Sequence, residues 1–225
     1  MRTLVLCCAV AAVAARNLSG VQQPQRIDDA IDSAVVYSKP AAQAAMDTFR
    51  RIVNGQNYKA LGFASLGDIQ SATPDTTRPL VAFHVGRDSL RKYHRGGDPF
   101  TLLRGGDRIF YAVLVKKRTR SSIILARDTT GWKGVSYGGP VTAKLYWTAL
   151  SRAPHPLTTP PRRYYLVQVL ALNTDFLAFH EDTVLSLIPV LDDPQYRWRA
   201  GASLLADWVF ALLAVDARAA DDLPR

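Results

Sequence analysis

The chain has 225 residues, 28 Lys or Arg against 19 Asp or Glu, and a formal net charge of +9. Apolar residues make up 48% and charged residues 21%, which excludes an intrinsically disordered chain and leaves ample length for a packed core. The basic residues fall in small groups, Arg50-Arg51, Arg87 with Arg91-Lys92, Lys116-Lys117-Arg118 with Arg120, Arg162-Arg163, and Arg197 with Arg199, so no basic tail exists.

The composition, rich in Ala and Arg and poor in Lys, is that of a GC-rich bacterial genome. A solvated basic surface is therefore the expectation, and nucleic acid is not the expected partner. Docking to an anionic polymer or a membrane surface through the scattered Arg and Lys is the alternative.

The N-terminus starts positive at Met1-Arg2 and runs apolar from Leu4 to Ala15, with the small-x-small pattern Ala12-Val13-Ala14 that signal peptidase requires. Residues 1–15 read as a cleavable signal peptide, too short to span a bilayer comfortably. The expectation is an exported protein, periplasmic or secreted, that is not an integral membrane protein once processed. Both cysteines, Cys7 and Cys8, lie in this segment. Its removal would leave no disulfide, thiolate nucleophile or cysteine metal site. Asn17-Leu18-Ser19 is a formal glycosylation sequon, without meaning in a bacterial protein.

Residues 16–26 are polar and read as a flexible segment, and 27–225 as a single α+β domain with a candidate sub-domain division near 152–162. Ile27, Ile31 and Val35 recur at helical spacing, and Lys39-Pro40 is expected to interrupt the run. Ala42, Met46, Phe49 and Val53 then mark one face of an amphipathic helix, which Asn54-Gly55 should stop as a left-handed cap. Ser65-x-x-Asp68 resembles a capping box before a short helix. Pro79–Val85 reads as a strand, Asp88–Tyr93 as one helical turn, and the two Arg-Gly-Gly-Asp copies at 95–98 and 104–107 as turns.

Ile109–Val115, Ser121–Ala126 and Trp132–Tyr137 are three short strands joined by links of a few residues. Links that short connect antiparallel neighbours, so this is a β-meander. Pro140 opens a helix with Val141, Leu145 and Thr148-Ala149 on its inner face. Ala153–Pro161 holds four prolines and is a linker or long loop. Tyr164–Leu172, Phe176–Glu181 and Val184–Leu191 are three more strands, the last two a hairpin turning at Glu181-Asp182. Leu204-Leu205, Trp208-Val209 and Leu212-Leu213 form a closing helix. The class is α+β: N-terminal helices, antiparallel meander, helix, second meander or hairpin, C-terminal helix.

One stretch suggests chemistry. Gly134-Val-Ser136-Tyr-Gly138 fits the G-x-S-x-G pattern of the nucleophile elbow, and the ten residues around it resemble the serine motif of α/β-hydrolases. That resemblance implies a serine nucleophile at Ser136, with His180 or His155 as base and Asp175 as the acid. The elbow, however, belongs after a buried parallel strand, and this strand lies in a meander. No His-Gly oxyanion motif precedes it, and Asp175 is close to His180 in sequence, where the family uses separate loops. The expectation is that Gly138-Gly139-Pro140 ends a strand and starts a helix.

Other sites are thinner. No phosphate-binding glycine motif occurs. His84, Asp88, His94 and Asp98 are the only local His and carboxylate cluster and lack a zinc spacing, so no metal and no cofactor are expected. The adjacent acids Asp28-Asp29, Asp192-Asp193 and Asp221-Asp222 do not form an acid/base pair by themselves. Tyr164, Tyr165, Tyr196, Trp198 and Trp147, near arginines, could stack on bases or sugars, but packing is the expectation.

Leu61-Gly62-Phe63-Ala64-Ser65-Leu66-Gly67-Asp68-Ile69, the strand at Pro79–Val85, Asp98-Pro99, and Ser121-Ser122-Ile123 through Gly131-Trp132 resemble an uncharacterised group of exported bacterial proteins. The resemblance implies export and an α+β fold, and no chemistry. The expected function is a non-enzymatic binding or interaction module of the bacterial envelope, with a protein or an anionic polymer as partner. A serine hydrolase is the alternative.

Overall fold

The computed structural model describes residues 22–153 and 163–219. The signal segment, both cysteines, Asn17, His155, Arg162, Asp221-Asp222 and most of the proline-rich stretch lie outside the described residues.

Among the described residues the chain forms five α-helices and a nine-stranded, mostly antiparallel sheet. In chain order these are α1 (Gln22–Ile52), α2 (Leu66–Ser71), β1 (Thr73–Pro74), β2 (Leu80–Val85), α3 (Arg87–Arg91), β3 (Leu103–Val115), β4 (Arg118–Asp128), β5 (Gly131–Gly138), α4 (Pro140–Arg152), β6 (Tyr165–Val169), β7 (Thr174–Glu181), β8 (Val184–Pro189), β9 (Leu204–Leu205) and α5 (Ala206–Ala219). The α+β architecture and both meanders are as expected. Among the described residues no helix is long and apolar enough to cross a membrane.

The strands lie in the order β5-β4-β3-β2-β6-β7-β8-β9, with β1 added beside the end of β3. The two meanders therefore share one sheet. They meet at β2 and β6, a parallel pair in register at Ala82 and Leu166 within a sheet otherwise antiparallel. The chain from β2 to β6, through three strands and α4, is long enough for a parallel crossover.

Alternation along the central strands feeds two cores. Val81, Ile109, Tyr111, Val167 and Phe176 face α1 and α5, while Leu80, Phe110, Leu166 and Leu177 face α4. The sheet is thus covered on both faces.

Several local expectations change. The helix begins at Gln22, so residues 22–26 are helical, and Pro24 sits in the first turn, where a missing N–H is no loss. Pro40 does not interrupt α1. Ile27, Ile31, Ala34, Ser38, Ala42, Ala45, Met46, Phe49 and Val53 are all buried, one continuous stripe through the proline. Proline removes the bond to the carbonyl four residues earlier, here at the exposed Val36, where water can replace it.

The end of α1 uses side chains rather than a left-handed glycine. Asn57 Nδ2 donates to the Ile52 carbonyl, Asn54 Oδ1 accepts from the N–H of Gln56, and Gly55 keeps a negative φ. The Ser65–Asp68 capping box is present, each side chain accepting from the other residue's N–H.

The second Arg-Gly-Gly-Asp is not a turn but a bulge in β3. Gly105 and Gly106 have φ of 110° and 86°, and the β2–β3 register shifts between Ala82 and Phe83. Leu204-Leu205 form the edge strand β9 rather than part of the closing helix. In α4 the buried residues are Ala143, Tyr146, Trp147, Ala149 and Leu150, because its large aromatic rings turn toward the sheet, and Val141 is exposed.

Candidate functional site

Ser136 sits on β5, an edge strand of the sheet, exposed and opposite Ile124. Its φ is not positive. The positive-φ residues are Gly138 and Gly139, two and three positions later, and Gly139 leads directly into α4 at Pro140. The strand therefore ends before the turn, and the serine is not carried on it.

His180 lies on β7, five strand positions from β5, or about 24 Å across the sheet. Ile124, opposite Ser136, belongs to the core beneath α4. His180 instead points to α1, where its Nε2 is 3.3 Å from Asp28 Oδ2 and its Nδ1 3.5 Å from the Tyr165 hydroxyl. The Phe100 ring and the imidazole form a T-shaped pair with centroids 5.6 Å apart. Arg163 extends the group, 2.7 Å from Asp32 and 3.9 Å from Asp28.

Asp175 is on β7 but serves other partners. It accepts from the Tyr146 hydroxyl at 2.5 Å and from Gln168 Nε2 at 3.2 Å. The structure thus does not bring Ser136, His180 and Asp175 together. The carboxylate that meets His180 is Asp28, which the sequence shows only as half of an acidic pair.

Several of the remaining polar candidates are committed to structure, while His84 stands exposed on β2. Asp98 caps the turn Pro99–Leu102, and His94 Nδ1 lies near the Lys92 carbonyl. Among the described residues no group of three His, Cys, Asp or Glu is placed to hold a metal ion. Asp192 accepts from the N–H of Ala200, and Asp193 from those of Gln195 and Tyr196. Tyr164, Tyr165, Trp147 and Trp198 are buried, so these aromatics pack the core. A cleft of about 430 Å³ lies between Thr174, Tyr196 and Asp216. Its Asp216 already accepts from the Tyr196 hydroxyl and from Gln195 Nε2. Burial, then the bond to Asp216, holds the Tyr196 phenol protonated far above its ordinary range.

A different surface emerges where β3 turns into β4. Val115 pairs with Arg118, leaving Lys116 and Lys117 as a two-residue loop. Their φ values are 50° and 63°, both left-handed, as the tight loop between right-twisted strands demands. Asn-Gly or Gly-Gly fills such a loop without strain. A β-carbon there costs about 1–2 kcal/mol per residue. The turn is therefore held by lysines despite their backbone preference.

Other basic groups converge on this end of the sheet. Phe49, near the end of α1, packs on Phe63 and Tyr137 with ring centroids 5.7 and 5.5 Å away. Burying such a ring contributes about 2–3 kcal/mol and anchors Arg50 and Arg51 here. The segment after α1 docks closely enough that a β-carbon on Gly62 would lie 2.1 Å from the Arg120 carbonyl and 2.8 Å from Pro140. That contact brings Lys59 and the start of α4 to the same end.

The carboxylates nearby are engaged. Asp47 pairs with Arg50 at 2.7 Å, the buried Asp75 with Arg78 at 3.1 Å, and Asp68 closes its capping box. Arg51, Lys59, Lys116, Lys117, Arg118 and Arg120 meet no carboxylate among the described residues. Three apolar side chains stand exposed among them, Val141 at 70%, Leu66 at 46% and Ile52 at 41%. The sequence shows these cations as separate small groups; the fold assembles them.

Comparison with protein-family models, with curated proteins and with solved structures gives no match to this chain.

Proposed function

We propose that this chain is an exported binding protein of a bacterial envelope, not an enzyme, and that it holds an anionic partner at the basic end of its sheet. The observation that carries the reading is the Lys116-Lys117 loop, a strained turn built from two lysines beside four further cations that no carboxylate neutralises. Export rests on residues 1–15 and their signal-like pattern. The non-enzymatic part is supported by the separation of Ser136 from His180 and Asp175.

The test is binding to soluble polyphosphate across a salt series. Binding should weaken steeply between low and high salt and weaken further in Lys116→Gln/Lys117→Gln/Arg118→Gln. Salt-independent or absent binding defeats the anionic partner. An unprocessed, cytoplasmic product in cell fractionation defeats export. Labelling by a fluorophosphonate probe that Ser136→Ala abolishes defeats the non-enzymatic reading.

A further inference from the structure

Resting on that reading, we infer that the partner at the basic end is the surface of a membrane containing anionic phospholipid. The distinguishing feature is what accompanies the charge. A soluble polyanion asks only for cations at a suitable spacing. A bilayer surface also rewards apolar side chains that enter the boundary between headgroups and acyl chains.

This end supplies both. Val141 is the second residue of α4, after Pro140, and stands 70% exposed. Leu66 begins α2 directly after its N-cap Ser65, and Ile52 ends α1. They come from three different helices. Tyr146 and Trp147 fix the inner face of α4 and leave Val141 in solvent.

Continuity of this surface follows from direct contacts. The Gly62 position abuts both the Arg120 carbonyl and Pro140, next to Val141, and a β-carbon on Gly138 would meet the Leu61 side chain at 2.8 Å. β1, which follows α2, pairs with Leu114 beside the lysine loop. The loop, the starts of α2 and α4 and the end of α1 therefore lie at one end of the sheet, with α1 on one face and α4 on the other. Lys116, Lys117 and Arg118 lie at the tip of that end, exposed, with flexible stems able to reach headgroup phosphates while the three apolar groups enter the interface.

The experiment is co-sedimentation with vesicles of phosphatidylcholine alone and of phosphatidylcholine mixed with phosphatidylglycerol, run beside the polyphosphate titration. The protein assayed is residues 16–225, with folding checked by circular dichroism and thermal melting. It should bind the mixed vesicles and not the neutral ones. Lys116→Gln/Lys117→Gln/Arg118→Gln should bind mixed vesicles about 100-fold more weakly, near fivefold for each charge removed. Ile52→Ser/Leu66→Ser/Val141→Ser should lose at least about tenfold on mixed vesicles and keep its polyphosphate affinity.

Binding to polyphosphate without binding to mixed vesicles overturns the membrane inference and leaves the anionic-partner reading standing. An apolar variant that binds mixed vesicles as tightly as the parent also overturns it. Failure to bind either ligand overturns both.

Discussion

The hydroxyl of Ser38 lies 2.6 Å from that of Tyr111, and both residues are fully buried. One stands mid-way along α1 and the other at the centre of β3. The pair fixes the rotation of a 31-residue helix against the sheet, two residues before its internal proline. Removing one hydroxyl strands the other in the core. Ser38→Ala and Tyr111→Phe should each cost about 1–2 kcal/mol, and the double variant less than the sum. Urea unfolding of all four proteins checks this; strict additivity would mean the hydroxyls do not interact.

The lysine loop makes a prediction about stability as well as binding. Lys116→Asn with Lys117→Gly places relaxed residues at two left-handed positions. The double variant should be more stable by about 1–2 kcal/mol while losing affinity for anions. The two effects are read by thermal unfolding and by the polyphosphate titration. A variant of unchanged stability would show that the lysines carry no strain.

Gly62 is required by contact and conformation together. Its φ is +96°, and a β-carbon would stand 2.1 Å from the Arg120 carbonyl. Gly62→Ala should destabilise by at least about 2 kcal/mol and should weaken anion binding by pushing the 54–64 segment off the basic end. Gly55, with open space around it, is the control. Gly55→Ala should leave unfolding nearly unchanged.

Ser121 is completely buried, and its hydroxyl has no hydrogen-bond partner among the described residues. Folding strips water from the hydroxyl and returns nothing. Ser121→Ala should therefore be neutral or stabilising by up to about 1 kcal/mol. A clear loss of stability in urea would point to a bond formed in solution.

Tyr165 is fully buried, and burial, followed by the charge on Asp28, raises its pKa well above the ordinary 10. The folded state then keeps a phenolic proton that the unfolded chain releases above pH 10. That stability is complete below pH 10 and is lost as pH rises further. The slope is about 1.4 kcal/mol per pH unit for this one proton. The unfolding free energy measured at pH 9, 10 and 11 should fall less steeply in Tyr165→Phe than in the parent, by up to about that slope.

The locally coded parts of this protein are legible in its sequence. The capping box at Ser65 and Asp68, the helix start at Pro140 and the antiparallel links of the first meander each depend on a few neighbouring residues. Their physics is complete within one turn or loop. Elsewhere, distant atoms decide. Pro40 looks like a break in isolation, but the lost bond falls on the solvent side of a helix whose other face is pinned to the sheet. Val141 looks like an inner residue until Tyr146 and Trp147 compete for the same core.

The candidate sites divide the same way. Proximity in sequence pairs Asp175 with His180, yet alternation sends them to opposite faces of β7, and His180 meets Asp28 from α1. The arginines and lysines of residues 50–51, 59 and 116–120 read as scattered until pairing of β3 with β1 and β4, and the packing of Phe49, gather them.

The amino-acid sequence alone determined the class of fold, the ends of several elements and the excess of positive charge, because propensity, capping and composition act locally or in bulk. Tertiary structure alone decided that both meanders form one sheet across β2 and β6. It also decided that Ser136 faces no histidine among the described residues, and that unpaired cations and exposed apolar groups share one end. Those outcomes depend on long-range pairing and on competition for two cores, which no local pattern encodes.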